Sequence, residues 1–310
     1  MLEPFLHLGW VDWFYKHFSD KEYIDEILNK YDLHELIEED ISEAATQDKV
    51  DVYDQCLFIV LHFPKYSNDL KKYLINEFNL ILGKDYLVTL TKLPTNHFEK
   101  IKQEYETELA QRDDESEYKI SPYYILYKII DVMYDKVLRS LRLFGNDLTA
   151  LEEAIFDQSV PNDKALLEDI MIKRRNIVGL KHTILPQQEI IHEIQVEAVK
   201  FYGGELDVYF EDLLYKIDKI LSTISILHED IDSLYDTHNA MVSMKTNTVV
   251  TLLTIFTAVI WVLTLVVWWY GMNVHIPHAT SDNLIWYITW GMLLFAVLLI
   301  WFFKKKRRLM

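Results

Sequence analysis

Two long apolar stretches lie near the end of the chain. Residues 249–270 contain no charged side chain over 22 positions, and residues 284–303 contain none over another 20. Each is long enough to cross a hydrocarbon core of about 30 Å as a helix, and Trp and Tyr side chains gather near the ends, as at a membrane interface. The pattern predicts two transmembrane helices joined by a short loop, 271–283.

A heptad pattern precedes the first apolar stretch. Its positions alternate spacings of four and three: Leu206, Phe210, Leu213, Ile217, Ile220, Ile224, Leu227, Ile231, Leu234, His238 and Met241. No Gly or Pro follows Gly203-Gly204 until Gly271, so we predict one helix over about 205–270, roughly 100 Å long. Such a helix must pack on copies of itself or on other helices of the chain. Closed cyclic symmetry around a pore lined by the first span is the natural solution.

The residues before this helix show mixed patterning. Runs at 56–63, 79–82 and 86–91 read as strands, the last two joined by the turn Gly83-Lys84-Asp85. Residues 21–45 and 97–200 carry helical patterning, with breaks near Pro122, Pro161 and Pro186. These patterns are compatible with an α+β domain.

Charge is distributed unevenly along the chain. The whole chain carries −17, but residues 1–248 hold 26 of the 31 basic and 47 of the 48 acidic side chains, a net charge of −21. Such a surface repels nucleic acid and attracts cations. The basic run 304–308 predicts a cytosolic C-terminus, and two spans then place residues 1–248 in the cytosol as well. The single Cys56 excludes an intrachain disulfide.

Tyr270-Gly271-Met272-Asn273 stands directly after the first apolar stretch. With this placement of GMN, with KTN at 245–247 and HELIEEDI at 34–41, and with the run from Ser121 through 148–152, the chain resembles the CorA family of magnesium transporters. The resemblance implies a homopentameric funnel, an α/β/α cytosolic sandwich with a coiled-coil stalk and two C-terminal transmembrane helices.

The resemblance also implies a division of the chain. The expected segments are a cytosolic α/β domain with a helical hairpin (1–203), a stalk helix (204–248), a pore-lining transmembrane helix (249–270), an external loop with GMN (271–283), a second transmembrane helix (284–303) and a basic cytosolic tail (304–310). The protein is then expected in the cell membrane as a multi-pass protein with both termini in the cytoplasm. Its expected partners are copies of itself, membrane lipid and divalent cations, without nucleic acid.

The function implied is transport of divalent cations, chiefly Mg²⁺ uptake, with Co²⁺ and Ni²⁺ as further ions, regulated by cytosolic Mg²⁺ and without an organic cofactor. The implied selectivity filter is Gly271, Met272 and Asn273. Because Mg²⁺ dehydrates reluctantly, a ring of Asn273 amide oxygens suits contact through retained water. The other implied pore positions are Asn247, Val250, Leu253, Thr264 and Asp236. Asp212 matches the stalk member of a regulatory metal site whose partner the sequence does not identify.

Two features depart from the family. The loop lacks the glutamate that members often place after the motif and offers only Asp282, His275 and His278. Trp261 and Trp268 fall in the angular sector of the polar pore residues, where they either narrow the pore or pack elsewhere if the helix is rotated.

Three alternatives stay open. One is a zinc transporter of the same architecture, and another is a non-transporting scaffold with a partner-binding stalk. The third is a membrane-tethered enzyme, but the sequence has no phosphate-binding Gly loop, nucleophile elbow or HExxH. His62, His97, His182 and His192 are scattered, which favours structural or surface roles over a catalytic cluster.

Overall fold

The computed structural model describes residues 3–110 apart from 44, 46, 94 and 96, together with 117–157, 163–272 and 283–307. The chain divides into two compact units, an N-terminal unit of residues 1–235 and a C-terminal unit of residues 236–310.

The N-terminal unit is built on a mixed sheet, which has six strands in the described part of the chain. They are β1 (Leu6–Leu8), β2 (Val11–His17), β3 (Lys49–Val52), β4 (Leu57–Ser67), β5 (Lys72–Leu82) and β6 (Tyr86–Thr91). Their spatial order is β1-β2-β6-β5-β4-β3. Strands β2 and β6 run parallel, and the other neighbours are antiparallel.

The three predicted strands are confirmed, with the predicted hairpin between β5 and β6. Its turn is tight, because the Gly83 N–H donates to the Tyr86 carbonyl at 2.9 Å. A β-carbon at Gly83 would lie 1.9 Å from the Tyr86 ring, so this close approach requires glycine. Strands β4 and β5 extend beyond the predicted runs as a ribbon that ends at Ser67 and Lys72.

Helices cover both faces of the sheet, as the predicted α/β/α sandwich requires. Helices α1 (Lys21–Lys30) and α2 (Glu35–Ser42) pack on one face, where Phe58 and Val60 of β4 join their core. Phe63 points to the other face, and its ring lies 5.8 Å from that of Tyr134. Alternate residues of β4 thus serve two cores, which explains why 57–63 reads as a continuous apolar run rather than an alternating one.

The remaining helices of the N-terminal unit follow the sheet along the chain. They are α3 (His97–Ala110), α4 (Pro122–Phe156), α5 (Asp163–Ile184), α6 (Gln187–Tyr202) and the first part of α7 (Asp207–Gly271). The predicted break at Pro122 is an N-terminus: Pro122 opens α4, and the Ser121 hydroxyl accepts from the Tyr124 N–H at 3.2 Å. Pro161 lies outside the described residues.

The heptad seam packs within the chain. Its positions from Leu206 to Leu234 are all buried, most of them completely. Polar contacts join this part of α7 to neighbouring helices: Asp207 accepts from Gln195 of α6 at 2.6 Å, and Asp232 pairs with Arg174 of α5 at 3.2 Å. The sequence predicted that the seam packs either on copies of the helix or on other helices of the same chain. Over 206–234 it packs on other helices of the same chain.

The C-terminal unit holds the rest of α7 and α8 (Leu284–Arg307). Within the described residues, α7 is the one helix long and apolar enough to cross a membrane, and its most apolar stretch has no buried residue. Helix α8 contributes a shorter apolar stretch, Trp286–Leu298. Apolar surface left bare to this extent needs a covering of lipid or of protein.

Candidate functional site

The five implied pore positions lie on one side of α7. Asp236, Asn247, Val250, Leu253 and Thr264 all belong to the C-terminal unit and are all exposed. At about 100° per residue they occupy a sector of roughly 120°. The helix thus brings together two polar positions, two apolar ones and one carboxylate along a single strip, which we call the α7 strip.

The threonines of this helix point their protons inward. The hydroxyls of Thr254, Thr257 and Thr264 each donate to the carbonyl four residues back at 2.8 Å. A hydroxyl whose proton is used in this way offers only lone pairs to its surroundings. Thr264 therefore presents an acceptor, which is what the water shell of a cation needs from its environment.

The motif at the end of α7 is described in part. Gly271 is the last helical residue, and Met272 follows in a bend with its side chain half exposed. Asn273, the residue expected to select the ion, lies outside the described residues, as do Asp282, His275 and His278. The backbone of Gly271 does not adopt the left-handed conformation of a glycine cap, and a β-carbon there would meet no atom within 4 Å.

Trp261 and Trp268, which lie in the same angular sector of the helix as the α7 strip, are highly exposed. Trp261 is 74% exposed and Trp268 is 75% exposed. A large ring left this bare in one chain needs lipid or a neighbouring protein surface to cover it.

Asp212 lies in the N-terminal unit beside a lysine. The Lys216 ammonium is 4.0 Å from the Asp212 carboxylate, and it also pairs with Asp131 and, at 3.0 Å, with Asp135 of α4. We call these four residues the acidic clamp. Three carboxylates share one ammonium, so the clamp keeps a net negative charge.

Burial perturbs the pKa values of the acidic clamp. Burial raises the pKa of Asp131, although the hydrogen bond from Lys216 opposes this effect. Burial would lower the pKa of Lys216, but its hydrogen bonds to Asp131 and Asp135 outweigh burial and raise it. Burial, with Asp131 and Asp212 nearby, also raises the pKa of Tyr127. The acidic clamp therefore has too little positive charge to neutralise its three carboxylates, one of which is Asp212, the residue predicted from the sequence.

A complete metal site is absent from the part of the chain that the structure describes, because no group of three or more His, Cys, Asp or Glu is arranged to hold an ion. Sequence reasoning missed Lys216, although its spacing of four from Asp212 on a helix was a usable signal. It also missed Asp131 and Asp135, because no sequence pattern connects α4 with α7 over such a separation.

The histidines that sequence reasoning treated as structural include one with a well-defined environment. His62 of β4 is buried, its Nδ1 atom lies 2.9 Å from the Asp48 carboxylate, and its Nε2 atom lies 3.2 Å from the Ala45 carbonyl. Burial would lower the pKa of His62, but the hydrogen bond to Asp48 outweighs it and raises the pKa. These contacts fasten the segment before β3 to the sheet.

The chain is similar to known proteins in sequence and in fold. A model of the family described as "CorA-like Mg2+ transporter protein" matches residues 8–305. The chain is 25% identical over 286 residues to the cobalt/magnesium transport protein CorA of Thermotoga maritima, covering 89% of this chain and 77% of that protein.

Two solved structures are similar in fold. The complete CorA magnesium transporter from Methanocaldococcus jannaschii matches with a TM-score of 0.81 and 16% identity, covering 98% of this chain and 93% of that one. The cytoplasmic domain of ZntB from Vibrio parahaemolyticus matches with a TM-score of 0.53 and 14% identity, covering 78% of this chain and 90% of that one. At these identities the likeness concerns the fold alone.

Proposed function

Because the chain belongs to the family of CorA-like Mg²⁺ transporter proteins, we propose that it carries hydrated Mg²⁺ across a membrane through a pore lined by α7. The chain is a CorA-family transporter of divalent cations. The relative from Thermotoga maritima is named for cobalt as well as magnesium, so Co²⁺ is proposed as a second ion. Ni²⁺ is the third ion of the proposal.

The observation that carries this proposal is the α7 strip. Polar side chains within an apolar helix are costly in hydrocarbon and face a protein interior or a water path. Asn247 and Thr264 lie on one side of such a helix and are exposed in the single chain. Copies of α7 arranged around an axis would direct these side chains into a shared, water-filled centre. A homopentamer in the cell membrane, with both termini in the cytoplasm, is the arrangement we propose.

Selection of Mg²⁺ is proposed at the Gly271-Met272-Asn273 mouth. Mg²⁺ holds its waters tightly, so a ring of amide oxygens from Asn273 would accept hydrogen bonds from the hydrated ion instead of stripping it. Thr264 and Asn247 would form further rings of this kind. The acceptor-only hydroxyl of Thr264 supports this role, because water bound to a cation points its protons outward.

A barrier to flow is proposed at Val250 and Leu253. Their side chains are 52% and 62% exposed and are apolar, so rings of them around a narrow path would exclude water. Such constrictions gate by dewetting, without a moving plug. Asp236, which precedes both, would supply a ring of carboxylates that concentrates cations on the cytosolic side.

Regulation by cytosolic Mg²⁺ is proposed at Asp212. The acidic clamp has one ammonium for three carboxylates, and its net negative charge favours a divalent ion bridging Asp212 to an acid of a neighbouring copy. Bound Mg²⁺ would cancel repulsion between acidic protomers and so favour the closed state. When cytosolic Mg²⁺ falls, the repulsion returns and the closed state loses its advantage.

Ion uptake into proteoliposomes tests the proposed function. Purified protein in vesicles should admit Mg²⁺, Co²⁺ and Ni²⁺ above the rate of empty vesicles, and Zn²⁺ should enter more slowly. Uptake of Zn²⁺ in clear preference to Mg²⁺ would replace magnesium with the zinc alternative. Rates equal to those of empty vesicles for all four ions would contradict transport and favour a scaffold.

A further inference from the structure

A basic cavity lies in the N-terminal unit, and its lining includes no residue of the acidic clamp. It occupies about 610 Å³ between the end of β4, the start of α3 and the middle of α4. Four basic residues line it: Lys65, His97, Lys136 and Arg139. No acidic residue is among its lining in the described part of the chain. We call these four residues and the space between them the basic cavity.

The absence of carboxylates is unusual for this chain. The whole protein carries −17, and a second cavity beside α1 and α2 is lined by Asp25, Glu38, Glu43 and Glu77 against two lysines. Within the described residues, Lys65, Lys136 and Arg139 form no ion pair with a carboxylate, and no carboxylate lines the cavity that they share. In the part of the chain that the structure describes, the positive charge of the basic cavity therefore has no counter-ion.

Lys136 shows the electrostatic consequence. Among the described residues, its half-buried ammonium reaches only neutral acceptors, the Thr95 hydroxyl and the Met133 sulfur, each at 3.5 Å. Burial and then Lys65 lower the pKa of Lys136 to about 8. Burial also lowers the pKa of His97, with Lys136, Lys100 and Arg139 adding to the effect. A bound anion would relieve this repulsion.

The shape of the lining adds a second requirement on a ligand. Arg139 follows Lys136 by three residues on α4, so the two cations share a helix face and can contact one group together. Tyr66 and Leu143, which also line the cavity, expose 41% and 60% of their surface. A ligand that fits has a compact anionic end for the cations and an apolar or planar end for Tyr66 and Leu143.

We propose that the basic cavity binds a small phosphate-bearing molecule, of the chemical class of nucleoside diphosphates and triphosphates. Phosphate oxygens can accept hydrogen bonds from Lys136 and Arg139 together. The planar base of the nucleotide would rest on the exposed ring of Tyr66. The volume lies within the range of about 300–1,000 Å³ usual for small-molecule sites. The cavity is concave and its key ammonium is half-buried, which suits a small molecule better than the surface of another protein.

Calorimetry on the full-length protein in detergent, without divalent cations, tests the proposal. Adenosine triphosphate should bind saturably, and inorganic phosphate should bind at least 10-fold more weakly because it lacks the planar end. The double variant Lys136→Gln/Arg139→Gln should weaken adenosine triphosphate binding at least 10-fold. The control Lys164→Gln/Arg142→Gln removes the same charge from exposed positions on α5 and α4 outside the cavity, and it should bind as the wild type does.

Each other outcome overturns the proposal. Equal weakening in both double variants would show a general charge effect, and an absence of saturable binding would show no site. If the Lys136→Gln/Arg139→Gln variant lost its oligomeric state while the wild type bound no nucleotide, the cavity would be a protein contact instead. The single variant Arg139→Gln, at an exposed position, keeps the binding test valid should the double variant not fold.

Discussion

The threonine hydroxyls of α7 hydrogen-bond to the helix backbone and also present acceptor oxygens to their surroundings. Each threonine of the apolar stretch 249–270 donates its proton to the helix backbone, so a threonine costs little there even in hydrocarbon. What distinguishes Thr264 is its direction on the helix. If α7 lines the pore as proposed, the effect of a polar atom on transport depends on the angle at which the helix presents it, and comparison of two threonines can isolate that angle.

Replacement of Thr264 by Val should lower Mg²⁺ flux several-fold, because the acceptor oxygen facing the proposed pore is lost while the shape is kept. The matched control is Thr251→Val. Thr251 makes the same 2.8 Å bond to its helix but lies about 140° around from Thr264. Uptake by proteoliposomes checks this. Equal losses in the two variants would mean that threonine acts in packing alone.

The pH dependence of stability should report His62. Its pKa is raised in the folded state, so the stabilisation is full below the ordinary pKa of about 6.5 and is lost as pH rises through the raised value. Thermal unfolding from pH 6 to pH 9 should show wild type losing stability over this range, with a smaller loss in His62→Gln. Parallel curves for the two proteins would contradict a charged His62.

At the scale of elements, helix α7 has two different environments along its length. Residues from Leu206 to Leu234 bury an apolar seam against the helices of the N-terminal unit. In the C-terminal unit the same helix exposes apolar side chains instead, including Val250 and Leu253. The first part is stabilised by the chain itself, and the second needs lipid or further copies.

Truncation within the seam should cost stability. Ile220 is fully buried, so Ile220→Ala should lower the free energy of unfolding by about 2–5 kcal/mol through lost burial and a cavity. Ile226 lies on the same helix but is 58% exposed, so Ile226→Ala should cost far less. Thermal unfolding compares them. Equal costs would mean that the seam is not the packing surface of α7 in the intact protein.

The sequence predicted elements best where their signal was long. The heptad seam and the hairpin of β5 and β6 could be predicted because their signals, a regular apolar spacing and a glycine turn, involve only residues close in sequence. Strands β1 and β3 were missed because they have only three and four residues, and β3 has no buried side chain. Strand β2 was missed because its parallel pairing with β6 joins residues more than 70 positions apart.

The candidate site could be predicted only as far as it lies on one helix. Asp236, Asn247 and Thr264 share α7, so their common side follows from 3.6 residues per turn. The acidic clamp joins α7 to α4, and a sequence gives no direct measure of that contact. The basic cavity was likewise out of reach, since three separate elements contribute its four basic residues.

At the scale of the whole molecule, the proposed regulation by Mg²⁺ rests on the net charge of the chain. Residues 1–248 carry a net charge of −21, and assembly of several copies brings that charge together unless cations are bound. A transporter whose closed form needs the transported ion in the cytosol has feedback built into its electrostatics. Asp212 is the residue at which we expect this feedback to be sensitive.

Loss of the Asp212 carboxylate should weaken the protection that Mg²⁺ gives the cytosolic domain against protease. Asp212→Ala should need several-fold more Mg²⁺ for the same protection, because the proposed metal ligand is gone. Glu211→Ala removes a neighbouring exposed acid outside the acidic clamp and should behave as the wild type does. If Mg²⁺ protects Asp212→Ala at the wild-type concentration, Asp212 is not a regulatory ligand.

The central claim is that ions enter through the mouth formed by Gly271-Met272-Asn273, and Mg²⁺ uptake by proteoliposomes containing Asn273→Ala tests it most directly. Asn283→Ala, at the other end of the segment 271–283, removes the same amide and serves as the control. We predict at least 10-fold slower Mg²⁺ uptake for Asn273→Ala and near wild-type uptake for Asn283→Ala. Undiminished Mg²⁺ uptake by folded Asn273→Ala protein would contradict the claim.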